Sequence, residues 1–414
     1  MIWRALYSTA LYAVLPFVLL KLWWRGRSEP QYRARIGERF GRYRAAQQGG
    51  VLWVHAVSVG EARASAPLVR ALREELPAAR LLLTCTTATG HSALRQIHGE
   101  SQRIVWLPYD YPGSVRRFLS HFRPRLAVLV ETEIWPNLLR ACAQSGVPVV
   151  VASARMSERS AGGYRRWSGL ARPAFASLAA VCAQSEADAR RLGSLGAAQV
   201  SVCGNLKFDV APDASQLEAG RAWRSSLGRR VVLLASTRDG EERLLLEATR
   251  ELPEEVLAIV VPRHPQRFEP VAALLGAGVA RRSRNDRPQA GQRFYLGDSM
   301  GEMAFYYAAA DVAVIGGSFL PLGGQNLIEA CAAGTPAVFG PSMHNFAEAS
   351  VLALEAGAAL QARDATQAMR TVQMLLSDES RRHAMGQAGL RLCAAHRGAT
   401  RKHLAIVQSV LAGR

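Results

Sequence analysis

Lysine is almost missing from this chain of 414 residues: Lys21, Lys207 and Lys402 are the only three, and arginine supplies the remaining 48 of 51 basic residues. A guanidinium grips planar anions with two prongs, whereas an ammonium is a compact, mobile point charge. Lys207, alone in mid-chain, is therefore either a solvated surface residue or a position that needs such a charge. Cysteine patterning is lacking too. Cys85, Cys142, Cys182, Cys203, Cys331 and Cys393 are scattered without a C-x-x-C pair, which excludes a disulfide framework and suits buried thiols of a reducing compartment. The histidines have no H-x-x-x-H spacing and no Cys/His cluster, so no metal centre is expected. There is no G-x-G-x-x-G and no P-loop, since GAGVAR (276–281) fails at its last glycine. Zinc-finger spacing, a basic helix and a basic run interleaved with aromatics are all missing, which excludes the common nucleic-acid modules.

What is present is a large apolar fraction, 49%, and a net charge of +18. The first allows a substantial core, and the length favours about two domains. The second is dispersed along the chain and points to an anionic partner such as a membrane surface carrying phosphorylated lipid. Ala5 to Leu20 is apolar apart from Ser8 and Thr9, bracketed by Arg4 and Lys21 and followed by Trp23 and Trp24. Sixteen residues of helix reach about 24 Å, short of the roughly 30 Å hydrocarbon core, so snorkelling basic ends and interfacial tryptophans are needed to complete a span. Without a small-residue cleavage site the segment reads as an uncleaved anchor over residues 1–24. A buried N-terminal helix is the alternative. The arginines that follow, from Arg25 to Arg44, place the body in the cytoplasm by the positive-inside rule.

From Val51 the text alternates continuous apolar strands with helical segments: VLWVHAV (51–57), LLLTCTT (81–87), RIVWLP (103–108), LAVLVE (126–131), VPVVVASA (147–154) and AAVCAQS (179–185). Strands apolar on both faces predict a parallel sheet covered by helices on each side, a doubly wound α/β domain over 25–205. Residues 206–230 break the rhythm and read as an interdomain linker. A second set, VVLLAST (231–237), LAIVVPR (257–263), RFYLGD (293–298), DVAVIGG (311–317) and PAVFG (336–340), predicts a second doubly wound domain over 231–414. Two such domains in series are expected to face each other across a ligand cleft.

The stretch GGSFLPLGGQNLIEACAAGTPAVFGPSMHNFAE (316–348) is the densest in signals. Gly316, Gly317, Gly323 and Gly324 allow positive φ and close approach of a ligand to the backbone. Asn326 is placed to cap the helical run LIEACAA, and Gly334 with Pro336 ends it. A glycine-rich turn feeding a helix start offers unpaired amides to an anion. Glu329 reads equally as the capping-box partner of Asn326 and as an acceptor for nucleotide sugar hydroxyls.

Glu61, in SVGE directly after the first strand, reads both as the capping-box partner of Ser58 and as a general base. Glu131 and Glu133 in VETEIWPN leave the fourth strand where the cleft is expected. Arg263, at the end of LAIVVP, is suited to a phosphate. Gly297–Gly301 is a G-x-S-x-G between strand and helix and raises a serine hydrolase with Ser299 as nucleophile. Of the four later histidines three lie in helical C-terminal text, and no HGGG-type loop precedes, so that reading ranks low.

Taken together, KLWWRGR, HAVSVGE, LPYD, ETEIWPNLL, SARMSERSAGGY, NLKFD, STRDGEE, VPRHPQRF, GDSMGE, GGQNLIEA and FGPSMHNFAE make the chain resemble, nearly end to end, the 3-deoxy-D-manno-octulosonic acid (Kdo) transferases of lipid A biosynthesis, glycosyltransferase family 30. The resemblance implies a GT-B fold of two Rossmann-like domains facing a cleft, and an inverting transfer without metal or cofactor. It also implies CMP-Kdo as donor, the lipid A precursor lipid IVA as acceptor, and a place on the cytoplasmic face of the inner membrane. Carried over by position, Glu61 matches the catalytic base, and Glu131 and Lys207 match residues thought to stabilise the transition state. Pro262 and Arg263, Met300, Gly301 and Glu302, and Asn326, Leu327, Ile328 and Glu329 match the CMP-contacting segments, which makes Ser299 part of a nucleotide loop. The chain departs from the family in carrying Leu322 and Gln325 within a usual His-Gly-Gly-His-Asn-Pro pattern, Leu327 in place of its proline, and Arg238 in place of another histidine.

Overall fold

The computed structural model describes residues 2–44 and 49–413. The chain forms two compact units, residues 1–210 with 396–414, and residues 211–395. The first unit holds strands β1 (Leu52–His55), β2 (Leu81–Cys85), β3 (Arg103–Trp106), β4 (Leu126–Val130), β5 (Val149–Ala154), β6 (Ala180–Ala183) and β7 (Val200–Val202), in the spatial order β3-β2-β1-β4-β5-β6-β7. Neighbouring strands are all parallel. Side chains alternate between two cores: Val51 and Trp53 point into one with Phe118, Phe122 and Phe175, while Leu52 and Val54 point into the other with Leu68 and Leu72. That double burial is why these strands read as unbroken apolar runs.

The second unit has β8 (Val231–Thr237), β9 (Leu257–Pro262), β10 (Ala280–Arg281), β11 (Phe294–Leu296), β12 (Val312–Ile315), β13 (Ala337–Phe339) and β14 (Ala359–Gln361), again parallel, in the order β10-β11-β9-β8-β12-β13-β14. In each sheet the chain first fills one side of its first strand, with β11 inserting between β9 and the edge strand β10 in the second, and then returns to that strand's other side. The reversal falls between β1 and β4 in one unit and between β8 and β12 in the other, the places where open α/β sheets bind ligands beyond their carboxyl ends.

Two expected boundaries are corrected. Residues 206–230 are not a free linker: Lys207 lies in a 3₁₀ turn (Leu206–Asp209) of the first unit, and Ala214–Ser226 is a helix of the second. That helix fits because Gly220 lets it approach Phe305 so closely that a Cβ would stand 2.4 Å from the Phe305 carbonyl oxygen. Arg224 completes the contact with a two-pronged ion pair to Asp311, at 2.7–3.0 Å. Nor does the second domain run to residue 414. The last helix, Ala399–Ala412, puts Leu404 and Val407 into the first unit's core.

The N-terminal helix runs from Ile2 to Ser28, longer than the apolar stretch suggested, and is long and apolar enough to cross a membrane. At 1.5 Å per residue its length is about 40 Å, which removes the predicted shortfall. It is not a buried helix: Ile2 and Phe17 are 70% exposed and Trp24 is 68% exposed. Its first turns are nonetheless fastened to the first unit. The Tyr7 hydroxyl donates to Asp110 (3.0 Å), Ser8 donates to Asn137 (3.2 Å), and the Tyr111 hydroxyl donates to the Leu11 carbonyl (3.1 Å). Asp110 is a receptive partner because it already accepts the Asn137 and Leu138 amides at the start of the next helix.

Candidate active site

The first unit gathers its ionisable groups at the β1/β4 reversal. The helix Val59–Glu75 begins just after β1, and Glu61 lies in its first turn. The expected capping box does not form: Ser58 caps nothing, and the Glu61 carboxylate accepts the amide of Val57, one residue ahead of the N-cap, and, at 3.4 Å, the Ser58 hydroxyl. Glu61 thus anchors the turn that enters the helix and remains the candidate base. Burial, then the negative charge of Glu131 and more weakly that of Glu133, raise the Glu61 carboxyl to about 8.

Glu131 follows β4 with φ +61, a left-handed backbone rarely taken by a side-chain-bearing residue, and its amide is held by the Ala152 carbonyl at 2.8 Å. Lys207 donates from Nζ to its carboxylate at 2.8 Å, and only 15% of the lysine side chain is exposed. Lys207 is thus a paired, largely buried ammonium, which removes the surface alternative. Burial opposes the Glu131 charge, but Lys207 and, more weakly, Arg155 outweigh it and hold the carboxyl below its ordinary range. Glu133 accepts from the Trp135 indole at 2.8 Å, and burial raises it to about 7. One buried carboxyl is therefore kept ionised by a lysine, while two beside it are pushed towards neutrality. Such a split separates a charge stabiliser from a proton acceptor poised near the working pH.

The second unit builds its site at the β8/β12 reversal. Gly316 can hold no side chain, because a Cβ would lie 2.6 Å from the Ser236 carbonyl oxygen. Glu241, fully buried and overlooked in the sequence, accepts the Gly317 amide (2.5 Å) and the Phe319 amide (3.0 Å) and so fixes the loop. Gly323 donates to the Ser342 hydroxyl and Gly324 to the Gly317 carbonyl. The loop glycines thus spend their amides inside the protein, Gly324 on the loop itself and Gly316, Gly317 and Gly323 on Ala235, Glu241 and Ser342. Among the described residues the amides of Gln325, Asn326 and Leu327 are among those of this stretch that make no hydrogen bond within the protein, one step further along than the glycines suggested.

Asn326 Oδ1 accepts from the Ile328 amide at 3.2 Å just ahead of the short helix Ile328–Ala333, whose N-cap position falls to Leu327 and not to the expected Asn326. The capping box with Glu329 does not form: that carboxylate is half-buried and makes no hydrogen bond among the described residues, and its nearest charged influence is on the Tyr307 phenol. Pro262 ends β9, and Arg263 after it donates from Nε to Gln325 Oε1 at 3.1 Å. The glutamine standing in for a family histidine thereby orients the arginine. Arg238 and Arg263 lie close enough to His264 to add to the burial that lowers its pKa, so positive charge converges here.

Met300 is 45% exposed, and the Gly301 carbonyl, in a left-handed turn, accepts from Gln216. Glu302 is gripped by Arg282 at 2.6 and 3.1 Å, an arginine not foreseen, which itself covers the Phe305 ring. Ser299 hydrogen-bonds the Tyr306 hydroxyl at 2.6 Å and lies against Glu302. No histidine contacts it among the described residues, so the serine hydrolase has no base and is set aside.

Known proteins resemble this chain over nearly its whole length. The family model for 3-deoxy-D-manno-octulosonic-acid transferase matches residues 34–210, and that for group 1 glycosyl transferases matches residues 278–391. The 3-deoxy-D-manno-octulosonic acid transferase of Bordetella pertussis is 46% identical, over 97% of this chain and 98% of its own. That of Haemophilus influenzae is 32% identical over 99% of each. Among solved structures, Anabaena Alr3699/HepE in complex with UDP aligns with a TM-score of 0.61 at 15% identity, over 87% of this chain and 99% of its own, a likeness that bears on the fold alone. The chain belongs to the 3-deoxy-D-manno-octulosonic acid transferase family, the glycosyltransferases that add Kdo in lipopolysaccharide synthesis.

Proposed function

We propose that this enzyme moves Kdo from CMP-Kdo to lipid IVA with inversion at the anomeric carbon, and that Glu61 is the general base. The sugar hydroxyl of the acceptor gives its proton to the Glu61 carboxylate as its oxygen bonds to the anomeric carbon. The bond from that carbon to the phosphate oxygen breaks, and CMP leaves with the electron pair. Lys207, held by Glu131, supplies positive charge for the transition state. Arg263 and the unpaired amides of Gln325, Asn326 and Leu327 receive the phosphate, with Pro262, Met300, Gly301, Glu302, Ile328 and Glu329 around the nucleotide. Protein cations and amides do the work of charge neutralisation in this scheme, so it needs no metal and no cofactor. The N-terminal helix holds the enzyme on the cytoplasmic face of the inner membrane, where the lipid acceptor lies.

The observation that carries the reading is the elevated Glu61 carboxyl beside an ionised Glu131–Lys207 pair. A carboxylate whose proton affinity is raised to near neutrality is a competent acceptor for a sugar proton. Glu61→Gln should lower turnover by about 10² to 10⁴, the usual worth of a general base, while CMP binding by calorimetry is unchanged. Transfer near the wild-type rate, followed by mass spectrometry of lipid IVA, would remove Glu61 from the mechanism.

A further inference from the structure

The Glu131–Lys207 pair is suspended from a single irregularity in the first sheet. Pairing of β5 with β6 shifts between Val151 and Ala154, and Ser153 at that bulge has φ +53. A bulge re-aims the chain and takes an amide out of the ladder. The Ala152 carbonyl accepts the Glu131 amide (2.8 Å), which sets the carboxylate partner. The Ser153 carbonyl accepts from Gln184 Nε2 (2.8 Å), Gln184 Oε1 accepts from Asn205 Nδ2 (3.1 Å), and Asn205 Oδ1 accepts the Lys207 amide (3.0 Å), which sets the ammonium partner. Ser153, Gln184 and Asn205 are all buried.

The displaced Ser153 amide would be an unsatisfied buried donor but for His403, whose Nε2 accepts it at 2.8 Å. His403 is fully buried on the last helix, and its Nδ1 lies 2.7 Å from the Ala399 carbonyl. A carbonyl on one nitrogen and an amide N–H on the other fix a neutral ring, protonated at Nδ1 with its Nε2 lone pair aimed at Ser153. The same helix is tied to the lysine turn a second time, through Asp209, whose carboxylate accepts the Gly398 amide (2.7 Å) and the Thr400 amide.

We propose that His403 is a positioning residue for transfer: by pinning the bulge at Ser153 it fixes where the Lys207 ammonium and the Glu131 carboxylate stand. The inference rests on the reading that this pair acts in the reaction. In the full-length enzyme, His403→Phe removes the acceptor and keeps a ring, whereas His403→Gln restores an oxygen that can accept the amide. His403→Phe should lower kcat between about 10- and 100-fold, as a displacement on the order of 1 Å does, with the KM values for CMP-Kdo and lipid IVA unchanged. His403→Gln should recover most of that loss. Combined with Lys207→Ala, His403→Phe should add little, since the larger part of its effect passes through the ammonium already removed. A wild-type kcat for His403→Phe, a His403→Gln no better than it, or losses that multiply in the double variant would each overturn the proposal. If His403→Phe does not fold, Gln184→Met cuts the chain of hydrogen bonds midway, and the same fall in kcat is expected there; full kcat in that variant also overturns it. Full turnover by Lys207→Ala would overturn the pair's role and the positioning together, whereas an impaired Lys207→Ala beside an intact His403→Phe overturns the positioning alone.

Discussion

Glu61 shows how one side chain serves folding and chemistry with opposite requirements. Its carboxylate closes the start of a helix, yet burial and the Glu131 charge raise it to about 8. The base form therefore grows as pH rises, and kcat/KM should climb with pH through an acid limb near that value. Glu133, raised to about 7, ionises within the same range and opposes the ionisation of Glu61. Glu133→Gln removes that opposition and should move the limb to lower pH by a fraction of a unit, because burial remains the larger cause. A pH profile whose limb moves upward would contradict the assignment. Stability runs the other way. A carboxyl whose folded value exceeds its unfolded one contributes stability that is full below the unfolded value and is lost as pH rises through the folded one. Glu61→Gln should consequently flatten the fall in Tm on the alkaline side while lowering turnover by about 10² to 10⁴.

Among elements, the N-terminal helix combines two attachments. Its outer face carries the exposed Phe17, Leu20 and Trp24, and its inner face donates Tyr7 to Asp110. Removing residues 1–24 should release the protein from membranes and also lower its Tm, because Asp110 loses the Tyr7 hydroxyl and Tyr111 loses the Leu11 carbonyl. Tyr7→Phe should cost only one hydrogen bond, about 0.5–1.5 kcal/mol, and leave sedimentation with membranes unchanged. If the truncated chain still sediments in high salt, the helix is not the main attachment. The helix was visible in the sequence as an apolar run, but its extent was not, since Lys21, Arg25 and Arg27 interrupt the apolarity without interrupting the helix. Strands were legible wherever both faces are buried. The short edge strands β7, β10 and β14 went unread, as two or three residues carry no period. The candidate site was legible where motif residues follow strands closely, as with Glu61, Glu131 and Arg263, and, for Lys207 in its 3₁₀ turn, through the scarcity of lysine. Glu241, Ser153 and His403 were not, because their roles are hydrogen bonds to backbone groups distant in sequence, and no local pattern encodes such a contact.

At the level of the whole molecule, each unit keeps its own sheet, its own core and its own reversal of strand order. The boundary error in the sequence reading has one cause. The helix Ala399–Ala412 carries apolar residues at an ordinary helical spacing, which says that it packs but not on which unit. Both chain termini consequently belong to the first unit, and the second is an insertion within it. A fragment of residues 211–395 should fold cooperatively and bind CMP, whereas a fragment stopping at residue 210 should be poorly soluble, lacking the helix that covers part of its core. Supplying residues 396–414 as a separate peptide should rescue that solubility, and failure to do so would show the covering helix to be dispensable. Any attempt to graft a different second unit onto the first must accordingly splice at two junctions, near 210 and near 395. A conventional C-terminal swap would discard the very segment that supports the lysine of the recipient.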